Sequence, residues 1–397
     1  MLQLLFTLGA SRDPIILVPG MMGSKLSVSY NRTSYLHCPP FLNESLFWIN
    51  YSYITPFHLD CLVRWLEPGF DTKKTEPTAG DWFDVSTVDY GGIEGVVKLD
   101  DTGLFGKTMI MGFDKPIKYL ENHGYQVKKD LFTAPYDWRR AGTGLSTFNP
   151  ELKELVENAF NINEGKKVTI LGYSLGGLMV NQFLTEYIDQ SWKDKYLERV
   201  IYLAPAITGS SFALSYLWDG TFPFISTLKL NSVRRLLSHL GSLYVLLPNY
   251  AVYQNEVFAE GPNGNKYTSK QLFLLLAKNS KLYDDVGVRL LNMAQRITGQ
   301  FPKYPGIPTY IYYNSAISTE YGLDLTNGYN KESKRIYSKG DGTIPSKGIE
   351  ILCKKWGQTN KSLKCHDFKN RSSDYNHNKL GTNDVASIKI FETLFTN

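Results

Sequence analysis

The pentapeptide Gly172-Tyr173-Ser174-Leu175-Gly176 carries the G-x-S-x-G pattern. Glycine and serine are common residues, so the setting of the pattern gives it its weight. The apolar run Val168 to Leu171 precedes it and Gly177-Leu178-Met179-Val180 opens a helix after it. This is the strand–turn–helix context that presents a serine nucleophile on a sharp turn. The glycines fit where the backbone approaches too closely for a Cβ, and the helix N-terminus would aim its amides and positive dipole end at a developing oxyanion. A turn that only reverses the chain would explain the glycines but not the serine between them.

In an α/β-hydrolase such a serine is followed along the chain by an acid and then a histidine. Gly340-Asp341-Gly342-Thr343 follows the run Arg335-Ile336-Tyr337, so Asp341 is expected on a tight loop at the carboxyl end of a strand. Taken alone, Asp-Gly reads as a solvent turn. Only His366 and His377 come after Asp341. His366 adjoins Cys365 in a Lys-rich stretch that reads as a surface loop, whereas His377 stands just before a closing helix and is better placed. The shared chemistry is acyl transfer: His377 takes the proton from Ser174 Oγ while Asp341 fixes the imidazole tautomer. Main-chain amides must hold the oxyanion. Leu175 supplies one, and the loop Pro19-Gly20-Met21-Met22-Gly23 supplies the other, with Met21 as first candidate and Met22 beside it.

The elements that would position these groups follow a βαβ rhythm, which implies a mostly parallel sheet with helices on both faces. Ile15 to Val18 is a short apolar run ended by Pro19-Gly20, expected as a buried central strand. A strand through Val127 to Phe132, a helix from Glu151 to Phe160, and strands at Val168 to Leu171, Val200 to Ala204 and Thr309 to Tyr313 continue the pattern. About ninety residues separate the last two, far more than a crossover needs, so residues 212–301 are expected to be an inserted helical cap. Asp384 to Leu394 reads as a closing helix with Val385, Ile388, Phe391 and Leu394 on its apolar face.

Aromatic residues form 14% of the 397-residue chain, and between Cys38 and Cys61 they crowd without clean period, notably in Phe47-Trp48-Ile49. That segment is either an aromatic mini-core or a lipid-binding excursion. The net charge of +5 comes with no long Lys/Arg block, too diffuse for a nucleic-acid footprint. No run reaches the 18 or so apolar residues needed to cross a bilayer. Residues 1–10 resemble a signal-peptide core without its basic start, or else a first strand. The four cysteines, Cys38, Cys61, Cys353 and Cys365, fall in two close pairs that permit two local disulfides. Neither pair has zinc-knuckle spacing. Five N-x-[ST] sequons, at Asn31, Asn43, Asn50, Asn360 and Asn370, cluster near them, which favours a secretory or lysosomal compartment.

Together these residues resemble the lecithin:cholesterol acyltransferase and lysosomal phospholipase A family. The resemblance rests on Val18-Pro19-Gly20 with Gly23-Ser24, the Cys38/Cys61 pair, Ala134-Pro135-Tyr136-Asp137-Trp138-Arg139-Arg140, the turn at Ser174, Trp192-Lys193-Asp194-Lys195-Tyr196, Gly340-Asp341-Gly342-Thr343 and His377. It implies an α/β-hydrolase core (12–36, 76–211 and 302–397), a membrane-binding subdomain (37–75) stapled by Cys38–Cys61, and a cap (212–301) over an acyl-chain track. It implies Ser174, Asp341 and His377 as the triad, Met21 as an oxyanion donor, and neither metal nor cofactor. Phe47, Trp48 and Ile49 are expected to meet the membrane. The expected partners are a phospholipid membrane or lipoprotein surface and a lipid acyl donor and acceptor, at a lysosomal or secreted, membrane-peripheral location. The acceptor is left open between water, a sterol and ceramide. A neutral-lipid lipase with the same triad is the nearest rival reading, and a lipid carrier with a dead triad a remote one. Two features depart from the family: Ala206-Ile207-Thr208-Gly209 replaces its usual Trp-x-Gly-type residues, and Cys353/Cys365 is more tightly spaced than its second disulfide.

Overall fold

The computed structural model describes residues 12–395 apart from 34, 36, 56, 75, 100–111, 143–144, 221–229 and 280–283. The signal-peptide expectation for residues 1–10 lies outside the described residues. Among the described residues six strands form one parallel sheet: β1 (Ile15–Val18), β2 (Leu131–Thr133), β3 (Val168–Tyr173), β4 (Leu197–Leu203), β5 (Thr309–Tyr313) and β6 (Leu363–Asp367), in the order β6-β5-β4-β3-β1-β2. Every residue of β1 and β3 is buried, as continuous apolar runs in a two-sided parallel sheet should be. The expected strand from Val127 is shorter than its sequence pattern suggests, with Val127 making only an isolated bridge to Leu131.

The topology places the chemistry. β1 lies between β3 and β2, and its last residue, Val18, pairs with Gly172. The loop leaving β1 and the turn leaving β3 therefore emerge side by side at the carboxyl end of the sheet, where open α/β sheets bind ligands. The closing helix (Asp384–Phe395) packs across the helix Asp114–Asn122, with Tyr119 and Phe391 stacked at 5.8 Å. Among its described side chains Ala386, Ile390 and Phe391 are buried, while Ile388, expected inward, is exposed; the side chains of Val385 and Leu394, also expected inward, lie outside the described ones.

Three further expectations are corrected. First, the 212–301 interval is mostly helical but also contributes the strands Val257–Glu260 and Lys266–Thr268, which join Ile317–Asp324 and Lys334–Gly340 in a second four-stranded sheet. Asp341 follows the last of these, so its strand belongs to this second sheet rather than to the central one. Second, Cys365 and His366 lie on β6, an edge strand, and the Cys353–Cys365 disulfide ties that strand to the helix Ser346–Gly357 instead of closing a surface loop.

The third concerns the aromatic segment. Leu42–Trp48 pairs with Leu26–Tyr30, which also pairs with Asp84–Thr87. The helix Leu59–Leu66 is stapled to the segment by the Cys38–Cys61 disulfide. Phe47, Trp48 and Ile49 are 0%, 2% and 7% exposed. They are core: Phe47 meets Trp65 and Trp48 meets Trp138, both edge-on at 6.0 and 5.0 Å. Side chains so enclosed cannot insert into lipid, and the exposed aromatics of this region are Phe41 and Phe57, at 66% and 73%.

Candidate active site

Ser174 sits between β3 and the helix Leu175–Gln182 with φ 54° and ψ −122°. A positive φ is costly for a residue with a Cβ, and local bonds hold it there. The Ser174 N–H donates to Leu203 O at 2.9 Å, and its carbonyl accepts from Gly177 at 3.0 Å and Ala206 at 2.9 Å. Gly176 is required by packing, because a Cβ there would lie 2.3 Å from Pro19 O. The turn is thereby pressed against the loop leaving β1.

His377 opens a short helix capped by Asn376, whose side chain accepts from the Lys379 N–H. Its Nε2 is 2.8 Å from Ser174 Oγ and its Nδ1 is 2.8 Å from Asp341 Oδ2. A carboxylate can only accept, so Nδ1 carries the proton and the Nε2 lone pair faces the hydroxyl. Asp341 is oriented in turn: Oδ1 accepts from the N–H groups of Thr343 at 2.9 Å and Ile344 at 2.7 Å, and its carbonyl accepts from the His377 N–H at 2.7 Å. All three residues are buried. A hydroxyl, an imidazole and a carboxylate in this relay, shielded from water, are arranged for nucleophilic attack with general-base assistance. His366 lies elsewhere, exposed on β6 against Phe368.

The expected oxyanion donors flank the serine. The loop after β1 is a tight turn in which Gly23 N–H donates to Gly20 O at 3.1 Å, so the N–H groups of Met21 and Met22 stay outside that bond. Met22 has φ 62°. A Cβ on Gly20 would approach Ser174 Cβ to 2.9 Å, which measures how close this turn lies to the serine. Leu175 begins the helix after Ser174 and is fully buried.

Several supporting residues were not assigned a role from sequence. Tyr173 donates its hydroxyl to His377 O at 2.7 Å and stacks on the imidazole at 5.4 Å; burial, then the nearby Asp341 charge, pushes its phenol well above the usual range. Tyr136 donates to Pro19 O at 3.0 Å. Arg139 is fully buried, pairs with Asp137 at 2.7 Å and donates to Trp65 O, linking the aromatic segment to the core. Burial pushes the Asp137 carboxyl up, but Arg139 and Arg140 outweigh it and hold it below its ordinary value. The motif Ala134 to Arg140 was the signal for this cluster, and the buried bonds give its physical reason.

The sequence profile described as lecithin:cholesterol acyltransferase matches residues 42–298. The chain belongs to the lecithin:cholesterol acyltransferase family. It is 26% identical over 359 residues to the bovine (Bos taurus) lysosomal phospholipase A and acyltransferase, covering 87% of this chain and 83% of that one. It is also 26% identical to the phosphatidylcholine-sterol acyltransferase of Rattus norvegicus, covering 86% and 76%. Among solved structures, a chain of the Tle4–Tli4 complex aligns over 98% of this chain and 99% of its own, with a TM-score of 0.52 and 13% identity. That likeness is one of fold alone; the parallel sheet, the turn at Ser174 after β3 and the chain order Ser174, Asp341, His377 are those of the α/β-hydrolase fold.

Proposed function

We propose that this family member is a serine acylhydrolase and acyltransferase that removes a fatty acyl chain from a glycerophospholipid at a membrane surface and passes it to water or a lipid alcohol. The observation that carries the reading is His377 bridging Ser174 Oγ and Asp341 Oδ2 at 2.8 Å on each side. Ser174 Oγ attacks the ester carbonyl carbon as His377 Nε2 takes its proton. The N–H groups of Leu175 and Met21 stabilise the resulting oxyanion. Collapse breaks the bond to the lysolipid oxygen, which takes the proton from His377 and leaves an acyl-Ser174 ester. Water or a lipid alcohol, deprotonated by the same imidazole, then attacks that ester and regenerates the serine.

The division of labour follows the same reading. Residues 12–36, 76–211 and 302–397 form the core that holds Ser174, Asp341 and His377. Segment 37–75 docks on lipid through Phe41 and Phe57, and 212–301 covers the acyl chain. Two disulfides favour an oxidising compartment, and we place the protein in the secretory pathway, lysosomal or secreted and peripheral on membranes. Among the described residues no helix is long and apolar enough to cross a membrane.

The test is a lipid mass profile of the purified protein on phosphatidylcholine liposomes, with and without sterol or ceramide. We expect lysolipid with free fatty acid or an acylated alcohol from the wild type and none from Ser174→Ala. Release from triacylglycerol but not from phospholipid would replace this reading with a neutral-lipid lipase.

A further inference from the structure

We infer that Trp48 is a positioning residue for the oxyanion turn, so that the disulfide-stapled segment helps to assemble the reaction centre. This rests on the acyl-transfer reading above. The turn Gly20–Gly23 carries Met22 at φ 62°, a conformation that a residue with a Cβ adopts only against a steric cost. Relaxing Met22 to negative φ would flip the peptide between Met21 and Met22, turning over the Met21 C=O and the Met22 N–H directly beside the Met21 amide that faces the substrate carbonyl. The bond from Gly23 N–H to Gly20 O closes the turn, but turns of either hand have that bond. It therefore does not select the strained form.

Contacts from outside the turn anchor it against the serine and hold its corner in place. At one end Tyr136 donates its hydroxyl to Pro19 O at 3.0 Å, and its N–H donates to Ser24 Oγ at 3.0 Å. At the corner the Trp48 indole N–H donates to Met22 O at 3.1 Å. Trp48 is itself immobilised: it is 2% exposed, packs edge-on against Trp138 at 5.0 Å, and pairs in register with Leu26 just beyond the turn. A donor fixed by packing is what a geometric restraint needs. The strand Leu42–Trp48 begins next to the exposed Phe41, so one rigid element joins a surface aromatic to the oxyanion turn.

The experiment uses a soluble short-chain ester, which removes membrane binding from the readout. Trp48→Phe keeps an aromatic ring without the donor, and benzothienylalanine at position 48 keeps the shape of indole with sulfur in place of N–H. In both, kcat should fall about ten-fold, below the 10²–10³ lost with a whole oxyanion donor, while KM stays constant. Affinity for a boronic acid that mimics the tetrahedral state should fall by the same factor. Adding Met22→Gly, which adopts positive φ without a Cβ penalty, should restore most of the lost kcat in the Trp48→Phe background. A merely structural role would not produce that rescue. Folded variants with wild-type kcat, or losses in KM alone, would overturn the inference and leave the acyl-transfer reading standing. A wild-type protein inactive on every ester would overturn both.

Discussion

Replacing Asp341 by Asn changes one atom of the relay and reverses its logic. Oδ1 accepts two main-chain N–H groups, from Thr343 and Ile344, while Oδ2 faces His377 Nδ1 at 2.8 Å. An Asn amide satisfies both main-chain donors only with its oxygen at the Oδ1 position, which turns its NH2 toward the imidazole. Nδ1 must then accept, the proton moves to Nε2, and Nε2 can no longer take the proton of Ser174 Oγ. A tautomer error of this kind costs about 10⁴ in kcat in the Ser-His-Asp enzymes where it is known, or roughly 5 kcal/mol of barrier. Stability should barely change, because volume and both main-chain bonds survive. Asp341→Ala should lose activity and stability together, since it strands the buried Ile344 N–H, at about 1–3 kcal/mol, and the half-buried Thr343 N–H. Steady-state hydrolysis of a soluble ester, read beside thermal unfolding, separates the two variants. A folded Asp341→Asn protein retaining more than about a tenth of wild-type kcat would refute the reasoning.

Changing Phe41 and Phe57 together to Ser should weaken liposome binding at least ten-fold, given about 1.5–3 kcal/mol for each fully buried aromatic, while hydrolysis of a soluble ester is spared; equal losses in both assays would make these residues structural. Glu320 has its carboxyl pushed up to about 7 by burial, which Arg335 opposes and Asp219 reinforces. The folded state therefore holds this proton more tightly than the unfolded chain, so its stabilising contribution is full below the unfolded carboxyl range and declines as pH rises toward 7. Glu320→Gln should flatten the fall of Tm across that window, and an unchanged Tm profile would remove Glu320 from the account. Arg139→Met strands Trp65 O and leaves Asp137 with Arg140 as its ion-pair partner, so urea unfolding should show a loss of about 3 kcal/mol; a variant as stable as wild type would contradict a supporting role for this buried pair.

The parts of the site legible in sequence were those encoded locally. A continuous apolar run, glycines around a serine and a histidine before a helix are short-range patterns, and the structure places Ser174, Asp341 and His377 in one hydrogen-bonded chain. What escaped depended on distant partners. The strand before Asp341 reads as any strand would, and only pairing with Ile317–Asp324 assigns it to the second sheet. His366 looked loop-bound because lysines surround it, yet register with Tyr312 makes it part of an edge strand. Phe47, Trp48 and Ile49 have the composition of a lipid-facing surface as much as that of a core. Phe47 and Trp48 pack on Trp65 and Trp138, partners that the local sequence does not reveal.

The central claim is a covalent acyl-Ser174 intermediate. The most direct measurement is to quench the protein with acid while it turns over phosphatidylcholine, digest it, and search the peptides by mass for a fatty acyl ester. The account predicts that ester on the peptide containing Ser174, forming as fast as lysolipid appears and absent from Ser174→Ala. Lysolipid released at full rate with no acylated peptide, and equally from Ser174→Ala, would contradict it.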